Sequence, residues 1–166
     1  MVELDVRMSE SQLTLRPMTR AEWDEWIPRQ MAGYAEHIAA SGAMSEADAW
    51  EKARNDTARY FHAGFETPGM LLYRIMAGDE AVGSLWLAVP GADPDRQMAW
   101  VFSIEVDPAY RGRGYGRQAM LLAEAEARSR GMTSLGLNVH GQNTVARSLY
   151  DSLGYGVMSL QMKKAL

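Results

Sequence analysis

Residues 108–116 read P-A-Y-R-G-R-G-Y-G, between a strand-like run and a helix-like run. No other stretch limits the fold as much. Gly112, Gly114 and Gly116 put three glycines in five positions, which lets a backbone turn tightly and expose successive N–H groups. A helix starting directly behind them aims its positive end at the same spot. Arg111 and Arg113 add two permanent cations. Such a turn is an anion cradle, suited to phosphate or pyrophosphate.

The rest of the chain supplies what this turn needs. At 166 residues the length suits one domain, 1–166, and a chain of this size buries roughly 70% of its unfolded surface without staples. Cysteine is absent, which excludes disulfides, cysteine nucleophiles and thiolate metal sites. A net charge of −4 argues against a nucleic-acid binder, which is normally basic. No apolar run approaches the roughly 20 residues of a membrane span. The start, Met1-Val2-Glu3-Leu4-Asp5, is acidic where a signal peptide is basic. A cytoplasmic protein, bound to neither membrane nor nucleic acid, is the expectation.

Along the chain, 11–18 alternates with Leu13 and Leu15 on one face and predicts a strand. Thr19 and Glu22 form a capping-box pattern. Trp23, Ile27, Tyr34 and Ile38 follow at helical spacing, with Pro28 predicting a kink or two pieces. Ser45 with Asp48 marks a second helix start, with Trp50, Ala53, Thr57 and Phe61 on one face. Strands are then predicted over 70–76 and 81–89, joined at Gly78-Asp79-Glu80 as a hairpin, with a loop over 90–95 and a third strand over 97–106. A helix over 115–130 stops at Gly131. A strand over 133–140, a helix over 143–153 and a last strand over 155–163 complete the order. This is an α/β chain: a mixed, mostly antiparallel sheet flanked by helices. Residues 97–140 are long enough for a right-handed parallel strand–helix–strand crossover. The glycine turn then lies at the carboxyl end of a strand, where open sheets bind ligands.

The turn alone leaves several ligands open. G-x-x-x-x-G-K-[ST] does not occur, so a P-loop is excluded. A dinucleotide fingerprint fits poorly, because Arg117 stands where its third glycine belongs and Glu124 and Glu126 come too early. A purely structural turn also fits the spacing. A further reading uses the whole C-terminal half. Arg111-x-x-Gly114-x-Gly116 after a strand resembles the R/Q-x-x-G-x-G/A motif of the GNAT superfamily of acyl-CoA-dependent N-acetyltransferases. Asn143-x-x-Ala146-x-x-Leu149-Tyr150-x-x-x-Gly154-Tyr155 is similar to that family's second signature. The element order matches as well, and the resemblance is specific from about Gln97 to Tyr155.

The resemblance implies coenzyme A as the anionic ligand. Its pyrophosphate falls to Arg111, Gly112, Arg113, Gly114, Tyr115 and Gly116, and its pantetheine arm pairs with the backbone of Ile104, Glu105 and Val106 as an added strand would. Asn143 contacts the cofactor or caps its helix. Tyr150 matches the tyrosine that protonates the departing thiolate, which a phenol of pKa near about 10 can do at neutral pH. The implied activity is acetyl transfer from acetyl-CoA to an amine, by direct attack in a ternary complex, with a homodimer as the family's usual state.

The general base is where this chain departs from the family pattern. An amine of pKa near about 10.4 must lose a proton before it attacks. Asn138 and Trp100 stand at two positions where relatives carry a base, and neither can serve. Glu105 and His140 remain as candidates, with a water relay as the alternative. His37, His62 and His140 show no metal-ligand spacing, so no metal is expected. A non-catalytic acyl-CoA-binding or sensor module and a nucleotide-binding domain are the competing functions, and the acetyl acceptor is not legible.

Overall fold

A computed structural model describes residues 12–42, 44–90, 97–162 and 164. Their contacts form two compact units, Met1–Gly136 and Leu137–Leu166. The first begins with β1 (Leu13–Pro17), α1 (Arg20–Ala40) and α2 (Glu46–Tyr60). It continues with β2 (Met70–Ala77), β3 (Glu80–Ala88), β4 (Met98–Val106) and α3 (Tyr115–Ser129), and reaches into β5 (Ser134–Leu137). The second unit holds α4 (Thr144–Ser152).

The helix starts follow from local chemistry. Thr19 accepts from the Glu22 amide while the Glu22 carboxylate accepts from the Thr19 amide, a complete capping box. The Ser45 hydroxyl accepts from the Asp48 amide, and the Asn143 side chain accepts from the Ala146 amide. α1 is a single helix through Pro28, not two pieces. Packing of one long face outweighs the one hydrogen bond that proline removes: Trp26, Ala35 and Ile38 are all buried.

The sheet runs in the order β1-β2-β3-β4-β5. The first three neighbouring pairs are antiparallel, and β5 lies parallel to β4, so the mixed sheet has the expected architecture. β3 is its spine: Val82, Gly83, Ser84, Leu85, Trp86 and Leu87 are all buried. Such a run has both faces covered. On one face, the Trp26 indole of α1 donates to the Ser84 hydroxyl at 3.2 Å, and Trp86 joins Met18, Trp26, Phe61 and Leu72 in one aromatic core. On the other face lies Tyr73, the partner of Leu85, whose hydroxyl donates to Glu126 of α3 at 2.7 Å. Ala119, Ala123 and Ala127 let α3 approach the sheet closely.

Two C-terminal strands differ from expectation. The strand expected over 133–140 stops at Leu137. The last strand, expected over 155–163, is not formed across residues 155–162, where Val157, Met158, Leu160 and Met162 are exposed. A strand exists only where a neighbouring edge accepts its backbone. Position 11 of the first strand, residues 91–95 of the loop and Lys163 lie outside the described residues.

Candidate active site

The glycine turn is built as its residues dictate. β4 ends at Val106, residues 108–110 form one 3-10 turn, and α3 starts at Tyr115. Gly112 and Gly114 both have φ of +77°, a left-handed conformation that costs a residue with a Cβ about 1–2 kcal/mol. A Cβ at either would meet nothing within 4 Å, so the turn is open on that side. Gly116 lies inside the first turn of α3. Gly114 is the helix cap and supplies no side-chain acceptor, and the first turn carries no acid. The leading N–H groups of a helix have no intrahelical partner, so those of α3 are left for an external acceptor, with the positive helix end behind them.

Both arginines help fold the turn. Arg111 Nε donates to the Val106 carbonyl at 2.9 Å, and an Arg111 amino group lies 3.7 Å from Glu105. Arg113 donates to the Ala109 carbonyl at 3.3 Å and sits over the Tyr110 ring, 5.5 Å from its centroid. A guanidinium has five donors, so each arginine keeps others for a ligand. Tyr110 donates to Glu80 at the start of β3, a hydrogen bond that raises its pKa.

β4 is distorted where it approaches the turn. Trp86 pairs with Ser103 but Leu87 pairs with Val101, so Phe102 is an extra residue, a β-bulge. Phe102 stacks on Trp86 at 4.5 Å and lies 4.6 Å from the Tyr60 ring. The neighbouring Ser103 hydroxyl donates to Gln30 of α1 at 3.2 Å. β5 has only four residues and its first bonds reach Gln97, so parallel pairing spans only the first half of β4. Ile104, Glu105 and Val106 lie beyond that reach; Ile104 and Val106 are half-buried and Glu105 is exposed. Gly136 of β5 takes the Trp100 ring: a Cβ there would lie 2.5 Å from it.

In the second unit, Tyr150 stands on α4, partly buried, and burial raises its pKa. Its ring lies 5.8 Å from that of Tyr155. Asn143 caps α4 through its side chain. His140 is exposed in the segment before that cap, and its carbonyl accepts from the Asn143 amide at 2.9 Å. Since β5 ends at Leu137, Asn138 and His140 lie beyond the strand.

The first unit thus brings Ile104, Glu105, Val106 and the residues of the turn together; the second carries His140, Asn143 and Tyr150, of which His140 and Asn143 are joined through their backbones. Three residues at the turn were not legible as site residues: Glu80, Tyr110 and Gly83. A Cβ on Gly83 would lie 2.1 Å from the Glu105 carbonyl oxygen. Its one signal was a lone glycine inside a strand, a mark of close backbone approach. Among the described residues, no cluster of three or more His, Asp or Glu side chains is arranged to hold a metal, and no helix is long and apolar enough to cross a membrane.

Known proteins share this fold. The uncharacterised N-acetyltransferase YycN of Bacillus subtilis is 29% identical over 155 residues, covering 93% of this chain and 99% of its own. The crystal structure of YycN superposes with a TM-score of 0.86, covering 93% of this chain and 98% of that one. A mycothiol acetyltransferase of Beutenbergia cavernae is 32% identical over 138 residues, 82% of this chain and 42% of that protein. The aminoglycoside acetyltransferase AAC(6')-Iy, solved with a coenzyme A bisubstrate analogue, shares the fold at 17% identity and a TM-score of 0.58, covering 94% of this chain and 99% of that one. The description of the acetyltransferase (GNAT) family matches residues 20–155. With that match spanning both motifs and most of the sheet, the chain belongs to the GNAT family of acetyltransferases.

Proposed function

We propose that this acetyltransferase moves an acetyl group from acetyl-CoA to the nitrogen of an amine, by direct attack in a ternary complex. One observation carries the cofactor: an open turn with two left-handed glycines leads into a helix that no side chain caps. Its chemistry suits a pyrophosphate, whose oxygens accept from backbone amides while Arg111 and Arg113 offset its charge. The pantetheine arm takes main-chain bonds from Ile104, Glu105 and Val106, as an added strand does.

The reaction balances simply. The amine nitrogen forms a bond to the thioester carbonyl carbon, the carbon–sulfur bond breaks, and the sulfur leaves with the electron pair. Tyr150 supplies the proton that sulfur takes: a phenol is protonated at neutral pH, and burial raises its pKa further. The nitrogen gives up its proton to Glu105 or His140, or to water leading to solvent. With no cysteine in the chain, no thiol is present to carry the acetyl group as an acyl-enzyme. Residues 1–166 act as one domain in this reading, and the cytoplasm, where acetyl-CoA is made and used, is its proposed place.

The test is release of free thiol from acetyl-CoA in the presence of polyamines, aminoglycosides, amino acids and peptides, with Tyr150→Phe and Arg111→Ala alongside. Tyr150→Phe should lower kcat by about 100-fold or more, and Arg111→Ala should raise KM for acetyl-CoA. Full activity in both variants would overturn the site assignment. Tight coenzyme A binding without thiol release from any amine would point to a binding or sensor module, and tighter binding of a dinucleotide would point to a nucleotide domain.

A further inference from the structure

We infer that Tyr110 and Glu80 are positioning residues that hold Arg113 ready for the pyrophosphate. The inference rests on the reading that the turn binds coenzyme A. Sheet register explains why the two meet. Gly83 pairs with Val106, and the Asp107 amide continues the ladder by donating to the Val82 carbonyl at 2.9 Å. Extended by the same antiparallel step, this register brings Glu80 opposite position 109. The 3-10 turn over 108–110, closed by the Tyr110 amide donating to Asp107 at 2.9 Å, then presents the phenol to the Glu80 carboxylate, to which it donates.

The ring held in this way is the platform for Arg113. The guanidinium carbon lies 5.5 Å from the ring centroid, and one amino group donates to the Ala109 carbonyl at 3.3 Å. Two contacts from different directions limit a side chain that otherwise carries among the largest rotamer entropies. The arginine keeps its remaining donors for the anion and does not have to be ordered when the anion arrives, which is preorganisation. Glu80 sits on the hairpin between β2 and β3, outside the turn it steadies, so the signature motif does not reveal it.

The experiment is calorimetric titration with coenzyme A at fixed ionic strength, with thermal melts of each protein alone. Tyr110→Leu removes the platform and should weaken binding about two- to fivefold. Tyr110→Phe keeps the ring and should recover part of that loss. Glu80→Ala removes the tether from an exposed position and should weaken binding without lowering the melting temperature. It decides the matter if Tyr110→Leu does not fold. In an Arg113→Ala background, Tyr110→Leu and Glu80→Ala should cost nothing further, because there is no guanidinium left to hold. Losses that multiply in that background, or unchanged affinity in Tyr110→Leu and Glu80→Ala, would overturn the assignment while leaving the coenzyme A reading intact. Absence of coenzyme A binding by the wild type would remove that reading, and this one with it.

Discussion

Gly83→Ala places a methyl group where β3 and β4 are closest, just before the turn. Its carbon would lie 2.1 Å from the Glu105 carbonyl oxygen, 3.1 Å from the carbonyl carbon and 3.2 Å from Val106 Cα. Favourable separations begin near about 3.5 Å, so the gap must open by more than about 1 Å. All three atoms are backbone, and no side-chain rotation relieves the clash. The strands must part, and the bond from the Asp107 amide to the Val82 carbonyl, now 2.9 Å, is the first to stretch. Overpacking costs about 1–3 kcal/mol, and each ladder bond lost adds about 0.5–1.5 kcal/mol. A destabilisation of about 2–5 kcal/mol follows. Urea unfolding followed by tryptophan fluorescence measures it, and calorimetry should show at least tenfold weaker coenzyme A binding, because the displaced Glu105 and Val106 lead into the turn. Gly33→Ala is the control: that residue sits inside α1 with nothing within 4 Å of its new carbon, and should gain about 0.5–1 kcal/mol. A Gly83→Ala protein within 0.5 kcal/mol of wild type, with unchanged coenzyme A affinity, would refute the close-approach argument.

Gly114→Ala keeps its space but not its conformation. It should cost about 1–2 kcal/mol on thermal unfolding and weaken coenzyme A more than it weakens stability-matched variants elsewhere. Glu22 is held down to about 2, first by the hydrogen bond from Arg16 at 2.6 Å, with burial opposing and Thr19 assisting. A depressed carboxylate stabilises the fold above its ordinary 4.5 and loses that contribution as pH falls through about 2. Since both side chains are partly solvated, Glu22→Gln should cost no more than about 1 kcal/mol at pH 7, and urea curves for the two proteins should converge by about pH 2. Trp26→Phe leaves the buried Ser84 hydroxyl without its indole partner and should destabilise by about 1–3 kcal/mol in the same assay.

Several parts of this protein were written in short stretches of chain. Thr19 with Glu22, Ser45 with Asp48, and Asn143 cap helices through contacts three residues apart, so their side-chain types suffice. The left-handed backbone at Gly112 and Gly114 is equally local, as is the order of strands and helices that announces a mixed sheet. The pairing of two signatures makes the family legible from sequence alone. What tertiary structure alone decided joins residues far apart. Gly83 matters because of Glu105, Phe102 bulges against Trp86 and Leu87, and Tyr110 finds Glu80 only through the β3–β4 register. A last strand was expected over 155–163, yet residues 155–162 form none. Caps and turns are settled by energies between neighbours in sequence. Register, bulges and strand ends are settled by which distant backbone and side chains compete for the same space and the same hydrogen bonds.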